Sequence, residues 1–270
     1  MVRAEWDDLP DNVRRAVERC TGQVLQAHTV HEGANSLLAA VLETQTGKTF
    51  VKGLRADDHG VATQLREAVA APLIQGFSPR LLARVTMDLW DINVFDHVDG
   101  RHAAYVPGSR DLPAVADVMR ELGRVVCPAL DVFKRAEQRW RGYYEDPADA
   151  DVLSGRALLH TDWNPCNVLM TPGGARIVDW AWATLGAAWV DPACWVLRLI
   201  AAGHSPESAE RWAASVPAWH TARDTDLDAF AHANARLWSE IVAHDAGSPR
   251  IAAMGTAAET WRRYRAGRGV

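Results

Sequence analysis

The 270-residue chain is 48% hydrophobic and carries a formal net charge of −5. This composition is typical of a globular protein and excludes a disordered chain, and the acidic balance argues against a nucleic-acid-binding protein, which needs a basic face. No apolar stretch is long enough to span a membrane, and residues 1–10 lack the apolar segment of a secretory signal.

The cysteines and lysines give further information about the class of protein. The four cysteines are far apart and form no C-x-x-C pair. This spacing favours reduced thiols in a cytoplasmic protein over a disulfide framework or a zinc site. Lysine is scarce, with 3 residues against 26 arginines, so each lysine is considered individually below.

The first third of the chain is rich in strand signals. Apolar residues at helical spacing predict a first helix that starts near residue 11 and ends at Gly22. A second helix is predicted over residues 61–71. Five strands are predicted from β-like runs bounded by turn residues, at 24–30, 37–43, 50–52, 79–84 and 90–95.

The remainder of the chain is mainly helical. An apolar stripe after Pro113 continues to Val126 and predicts a helix. Two later helices are predicted to open at Ser205 and Ser248, because each serine precedes a proline at the first helical position. A strand-rich part followed by a helical part predicts an α+β protein with two lobes and a boundary near residues 96–100.

Residues 158–170 contain the most informative motif, a polar loop between two apolar triplets. The loop carries Asp162 and Asn167, and Asp179 ends a short β-like run further along the chain. Asp162 is suited to act as a base or to orient a hydroxyl, whereas Asn167 and Asp179 offer the hard oxygen ligands that Mg²⁺ prefers. Phosphoryl transfer needs this division of labour, because its catalysis is mostly positioning and charge neutralisation.

The His-x-Asp-x-x-x-x-Asn loop followed by Ile-Val-Asp-Trp resembles the aminoglycoside phosphotransferase family of antibiotic and small-molecule kinases. The resemblance extends from about residue 24 to at least Cys194. It implies a two-lobed, protein-kinase-like α+β fold, with an antiparallel sheet plus helix in the N-terminal lobe and a mostly helical C-terminal lobe. It divides the chain into a nucleotide-binding lobe at 1–95, a hinge at 96–100 and a catalytic, substrate-binding lobe at 101–270.

The resemblance also implies roles for the motif residues. Asp162 matches the catalytic aspartate that orients the acceptor hydroxyl, and Asn167 and Asp179 match the Mg²⁺ ligands on the phosphates of ATP or GTP. His160 matches a structural histidine that packs beneath the catalytic loop, and Gly186 and Asp191 match the glycine and aspartate that usually brace this loop. Thr161 stands where the family usually has glycine, which is a departure on the acceptor side.

The upstream half supports the same interpretation. Lys52 ends a predicted strand, and Glu67 follows fifteen residues later on the predicted helix. A strand lysine that contacts ATP phosphates and pairs with a helix glutamate is the kinase arrangement, although a surface ion pair is the alternative. The resemblance further places Ser36 in the phosphate-covering loop, and Asp96 and Val98 in the hinge that binds the nucleotide base.

The sequence gives weaker signals for the residues that bind the acceptor. Three tryptophans flank the proposed catalytic acids and are candidates for the wall of the acceptor site, with core packing as the alternative: Trp163, Trp180 and Trp182. The acidic net charge suits a cationic acceptor.

We expect an ATP- and Mg²⁺-dependent phosphotransferase that phosphorylates a hydroxyl of a small polar molecule. The first candidate for this acceptor is an antibiotic, either aminoglycoside-like or another natural product, and its phosphorylation would give resistance. A choline, homoserine or amino-sugar kinase and a catalytically silent nucleotide-binding regulator are the alternatives, and monomer and homodimer both remain open.

Overall fold

The computed structural model describes residues 3–31, 36–245 and 247–268. The chain divides into two compact units. The first comprises Met1–Asp99 and Val178–Ala181, and the second comprises Gly100–Ile177 and Trp182–Val270.

The first unit contains an antiparallel five-stranded sheet in the order β1-β2-β3-β5-β4. Its strands β1–β5 are Val24–Thr29, Leu38–Thr44, Gly47–Arg55, Leu81–Met87 and Trp90–Asp96, and its helices α1 and α2 are Asp11–Thr21 and Ala62–Ala70. Helix α1 ends as predicted at Gly22, whose φ of +86° suits glycine and whose N–H donates to the carbonyl of Glu18.

Apolar side chains of the sheet and of α1 form one buried core, whose burial is the main stabilising contribution of this unit. Its members include Val13, Val17, Leu38, Ala40, Leu42, Val51, Ile92 and Val94.

The strand boundaries correct the sequence-based prediction in two hairpins. Residues 45–46 form the turn between β2 and β3, and Thr44 pairs with Gly47, so the predicted loop at 44–49 is mostly strand. Lys52 consequently lies inside β3 rather than at its end. Strand β4 continues to a two-residue turn at Asp88 and Leu89, which both have positive φ, as tight hairpin turns require.

The second unit contains two small sheets and six helices among its described residues. The sheets have the orders β10-β9-β6 and β7-β11-β8. Strands β6–β11 are Arg101–His102, Lys134–Arg135, Ala157–Leu159, Val168–Thr171, Gly174–Ile177 and Thr184–Gly186. Helices α3–α8 are Leu112–Leu122, Ala136–Trp140, Val190–Ala201, Pro206–Ala214, Asp224–His244 and Pro249–Ala266.

Local capping decides where several helices begin and end. The hydroxyls of Ser205 and Ser248 accept hydrogen bonds from the first turns of α6 and α8, which confirms both predicted helix starts. The predicted stripe after Pro113 is too long, because α3 ends at Leu122 and Val126 is 63% exposed. Gly123 follows at the C-cap of α3 and donates to the carbonyl of Met119.

Aromatic side chains fill the core of the second unit. The Phe230 ring lies 5.4 Å from those of Trp140 and Trp189 and 6.5 Å from that of Trp261, all measured between centroids. Most of the many tryptophans therefore serve packing. No helix within the described residues is both long and apolar enough to cross a membrane.

Candidate active site

Strands β8 and β9 hold the polar loop at residues 160–167, which is the strand-loop-strand arrangement predicted from the sequence. A short 3-10 turn, Pro165–Asn167, closes the loop. The Asn164 side chain accepts from the Cys166 N–H at 3.1 Å, and Pro165 occupies the first position of the turn. This local capping places Asn167 immediately before β9.

Asn167 folds back onto Asp162. Its Nδ2 lies 3.1 Å from Asp162 Oδ2 and 3.1 Å from the Asp162 carbonyl oxygen. Because the amide nitrogen is the donor in both bonds, the amide oxygen of Asn167 is the atom suited to a cation. The Asp162 side chain is 31% exposed, so its carboxylate is accessible to a small molecule.

Asp191, in the first turn of α5, holds the start of the loop. Its Oδ2 accepts the His160 N–H at 2.9 Å, and its Oδ1 accepts the Thr161 N–H at 2.8 Å. Burial raises the pKa of Asp191, while the two backbone N–H donors act in the opposite direction. The bracing role that the resemblance implied for Asp191 is consistent with these contacts.

Thr161 adopts a backbone conformation that favours glycine, with φ at +64°. A β-branched residue is rarely found there. Its N–H is held by Asp191, and its Oγ1 accepts a hydrogen bond from Arg139 Nη1 at 2.6 Å. The same nitrogen donates to Thr184 Oγ1 at 2.8 Å. Side-chain contacts thus hold in place the residue that departs from the family pattern.

His160 lies beneath the loop and is 1% exposed. Its Nδ1 accepts the Asp162 N–H at 3.3 Å, and its ring centroid lies 5.9 Å from that of Trp163. These contacts support the packing role implied for His160.

Arg198 is a site residue that the sequence analysis missed. Its Nη2 lies 2.6 Å from Asp162 Oδ1, and the two side chains are 18% and 31% exposed. The sequence shows only an arginine in the last turn of an apolar helix. No motif spacing indicates that it reaches Asp162, which lies 36 positions earlier.

In the first unit, Lys52 lies between two carboxylates. Its Nζ is 3.0 Å from Glu67 Oε2 and 2.8 Å from Asp179 Oδ1. The Lys52 and Glu67 side chains are only 9% and 5% exposed, so the predicted pair is buried and not a surface pair. Burial alone lowers the pKa of Lys52, but the charges of Asp179 and Glu67 outweigh it and raise the pKa above its usual value.

Short contacts anchor both partners of Lys52. Asn93, which pairs with Lys52 in the sheet, donates from Nδ2 to the Gln64 carbonyl at 2.9 Å and ties α2 to the sheet. The Trp180 N–H donates to Glu67 Oε1 at 3.1 Å, which fixes the residue after Asp179. Asp179 itself has φ at +63°, two residues after the end of β10.

Two of the predicted acceptor-site tryptophans are buried. Trp163 is 1% exposed and Trp180 is 2% exposed, and Trp180 Nε1 donates to Ser78 Oγ at 2.9 Å. These placements correct the expectation that the two rings wall the acceptor site, because large aromatic side chains gain most from core packing. Trp182 is instead 41% exposed, and its ring centroid lies 4.6 Å from Lys134 Nζ.

The other predicted nucleotide-binding residues lie in three settings. Asp96 is the last residue of β5 rather than part of a loop, and its Oδ2 accepts from Arg80 Nε at 3.0 Å. Val98 lies in the irregular segment that follows. Ser36 is 7% exposed and its carbonyl accepts from Arg3 Nη1 at 3.2 Å. Residues 32–35 of the predicted phosphate-covering loop lie outside the described residues.

Comparison with known proteins finds solved structures with a similar fold. No family model and no curated protein sequence matches the chain. An aminoglycoside phosphotransferase from Alicyclobacillus acidocaldarius is similar with a TM-score of 0.63 and 16% identity, over 96% of this chain and 95% of that one. Choline kinase LicA from Streptococcus pneumoniae is similar with a TM-score of 0.62 and 12% identity, over 94% and 99%.

A thermostable mutant of aminoglycoside phosphotransferase APH(4)-Ia, in a ternary complex with AMP-PNP and hygromycin B, is also similar. Its TM-score is 0.61 and its identity 15%, over 95% of this chain and 99% of that one. The chain therefore has the kinase-like α+β fold of these proteins, which confirms the fold class and, at the level of the fold, the resemblance found in the sequence.

Proposed function

We propose that the protein is a cytoplasmic, ATP- and Mg²⁺-dependent phosphotransferase that acts on a hydroxyl of a small polar molecule. The observation that carries this proposal is the loop that presents Asp162. Asn167 donates a hydrogen bond to the Asp162 carboxylate, and Asp191 accepts hydrogen bonds from the backbone N–H groups of His160 and Thr161. The similarity in fold to small-molecule phosphotransferases supports it.

The nucleotide binds to the first part of the chain, residues 1–95. Lys52 binds the α and β phosphates, and Glu67 holds its ammonium group in place. Ser36 contributes to phosphate contact, and Asp96 and Val98, in the hinge at 96–100, contribute to contact with the base. ATP is favoured because a structure of similar fold holds AMP-PNP, and GTP is the alternative.

The donor atoms present are compatible with magnesium. Asn167 offers its amide oxygen and Asp179 a carboxylate that is 30% exposed, and both are hard oxygen ligands. The described residues contain no cluster of three or more His, Cys, Asp or Glu side chains that could hold a metal. Mg²⁺ usually takes one or two protein ligands together with substrate phosphates, and it supplies charge neutralisation when bound.

Asp162, in the catalytic and substrate-binding part at residues 101–270, acts on the acceptor hydroxyl. Its carboxylate accepts a hydrogen bond from the acceptor hydroxyl and orients the oxygen toward the γ-phosphorus. As the new P–O bond forms, the bond to the bridging oxygen of ADP breaks, and the hydroxyl proton passes late to Asp162. Positioning and charge neutralisation account for most of the rate in this chemistry.

The acceptor is best sought among polyhydroxylated antibiotics, with resistance as the biological role. A structure of similar fold binds hygromycin B, and another is a choline kinase, so a metabolite alcohol is the second candidate. The acidic net charge favours a cationic acceptor. Two acidic residues of the late helices are less available to such an acceptor because they pair with arginines, Glu259 with Arg262 and Arg263, and Asp228 with Arg265.

Mass spectrometry of products tests the proposal. The enzyme is incubated with Mg-ATP and a panel of hygromycin B, other aminoglycosides, choline, homoserine and amino sugars, with Asp162→Asn as the control. A product heavier by one phosphoryl group, absent with the variant, supports the proposal and names the acceptor class. Failure to bind Mg-ATP in titration calorimetry contradicts it, and binding without any product favours a catalytically silent regulator.

A further inference from the structure

Arg198 is bonded to the carboxylate that we assign to catalysis, yet none of the roles above uses it. The 2.6 Å bond from its Nη2 to Asp162 Oδ1 is short for a charge-assisted N–H···O bond and belongs to a strong class of hydrogen bond. Asn167 Nδ2 donates to the other oxygen, Oδ2. Each oxygen of Asp162 therefore has a donor that restricts rotation of the carboxylate.

Helix α5 supplies both the brace of the loop and this contact. Asp191 lies in its first turn and Arg198 seven residues later, a spacing that places them on the same face of the helix. The rise between them is about 10 Å, and long helical side chains lean back toward the N-terminus, which allows the Arg198 guanidinium to reach the loop. One helix thus holds the loop backbone with Asp191 and the Asp162 carboxylate with Arg198.

The Arg198 side chain is itself held in place. Its guanidinium carbon lies 5.7 Å from the centroid of the Trp238 ring on α7, a cation–π distance. Tyr105 is 2% exposed, and burial raises its pKa. The charges of the ion pair also act on this pKa, since Arg198 lowers it and Asp162 raises it. The ion pair therefore lies among packed aromatic residues and is not a mobile surface contact.

We propose that Arg198 is a positioning residue for phosphoryl transfer, which together with Asn167 holds both oxygens of Asp162 so that the acceptor hydroxyl meets the carboxylate in one orientation. This inference rests on the proposed function. A carboxylate has about four lone-pair positions, so these two donors leave it able to accept from a hydroxyl. Loss of the Arg198 bond frees the carboxylate to rotate, and a misplacement of about 1 Å costs on the order of 100-fold in rate.

Nuclear magnetic resonance of the guanidinium group tests the ion pair without any substrate. In the ¹⁵N-labelled full chain, the Arg198 signals are identified by their loss in Arg198→Lys. We expect slow rotation of the Arg198 guanidinium in the wild type and faster rotation in Asp162→Ala. Equal rotation in both proteins overturns the inference.

A double-mutant cycle tests the functional part. Turnover is measured as ADP released from Mg-ATP, with the acceptor panel described above and with water alone. Arg198→Gln should lower kcat 10- to 100-fold, leave the KM for ATP within about twofold and be partly rescued in Arg198→Lys. In the Asp162→Ala background, Arg198→Gln should change the residual rate by less than about twofold, because Arg198 acts through Asp162. Arg211→Gln, at a position of α6 where the side chain is 70% exposed, is the matched control and should behave like the wild type.

The outcomes separate this inference from the proposed function. If Asp162→Ala abolishes turnover while Arg198→Gln retains it, the positioning role is wrong and the proposed function stands. If Arg198→Gln raises only the KM of the acceptor, Arg198 contacts the acceptor and the positioning role is likewise wrong. If Asp162→Ala keeps full turnover, both proposals fail. A loss in Arg198→Gln that simply multiplies with that of Asp162→Ala indicates general destabilisation and also overturns the inference.

Discussion

Lys52 Nζ lies 2.8 Å from Asp179 Oδ1, although the two residues are 127 positions apart in the chain. Residues 178–181 thus belong to the same compact unit as the five-stranded sheet that carries Lys52. The contact pairs an ammonium group with a carboxylate, and the Lys52 side chain is only 9% exposed. Burial makes this pair sensitive to the removal of either charge.

Lys52→Met should destabilise the fold and weaken ATP binding together. The variant leaves the Glu67 and Asp179 carboxylates without their shared cation, and we expect a loss of about 2–4 kcal/mol in the free energy of unfolding. The value lies below that of a fully enclosed pair, because Asp179 is 30% exposed and water screens it. Urea unfolding and calorimetric titration with Mg-ATP measure the two effects. Lys48→Met, at an exposed hairpin position, is the control and should leave the unfolding midpoint unchanged.

The effect of Lys52→Met should not depend on pH in the neutral range. Asp179 and Glu67 raise the pKa of Lys52 in the folded state despite the opposing effect of burial. A raised lysine pKa stabilises the fold fully below the unfolded pKa, and the contribution is lost only as pH rises through the folded value. The difference between wild type and variant should therefore be constant from about pH 6 to about pH 9. A difference that shrinks within that window contradicts the assigned ion pairs.

Thr161 offers a test of backbone strain in the loop at residues 160–167. Its φ of +64° lies in the left-handed region, where a side chain costs roughly 1–2 kcal/mol and glycine does not. Thr161→Ala and Thr161→Gly both remove the hydroxyl that Arg139 contacts, so the comparison of these two variants isolates the backbone. After the entropic cost of glycine, we expect Thr161→Gly to be more stable than Thr161→Ala by about 1 kcal/mol. Equal unfolding free energies would show that the loop relaxes to another conformation.

Arg265 should be the most sensitive charged residue of the last helix. Its side chain is 3% exposed and contacts Glu210 at 3.0 Å, Asp224 at 2.9 Å and Asp228 at 2.6 Å. We expect Arg265→Met to lower the free energy of unfolding by about 3 kcal/mol, because Glu210 is left buried with a reduced set of donors. Arg263→Met, with a side chain 74% exposed on the same helix, is the control. Similar unfolding midpoints for the two variants would refute the assignment.

The four thiols should fall into two classes in the native protein. Cys20 and Cys166 are exposed, whereas burial raises the pKa of Cys127 to about 11 and also raises that of Cys194. Only the thiolate reacts quickly, so two thiols should react with Ellman's reagent at neutral pH and all four after unfolding. The variant Cys20→Ser, Cys166→Ser should show no fast reaction. Four fast thiols in the native wild type would mean that the core around Cys127 and Cys194 opens readily.

Features that depend on neighbouring residues could be predicted from the sequence alone. The serine caps of α6 and α8 and the end of α1 at Gly22 are settled within one helical turn. The loop between β8 and β9 follows from apolar triplets on either side of a polar run, and Asn167 reaches Asp162 over only five positions. Chain connectivity keeps such partners close, so their contact is readable from spacing.

Contacts between groups far apart in the chain depend on the tertiary structure and could not be predicted from the sequence. The contact of Arg198 with Asp162 depends on the packing of α5 under the loop, and that of Lys52 with Asp179 on the return of the chain to the first unit. The burial of Trp163 and Trp180 likewise depends on which surfaces the remaining chain covers. The sequence does not show whether a tryptophan beside an acidic residue faces solvent or core, because the hydrophobic effect depends on the area buried and not on sequence spacing.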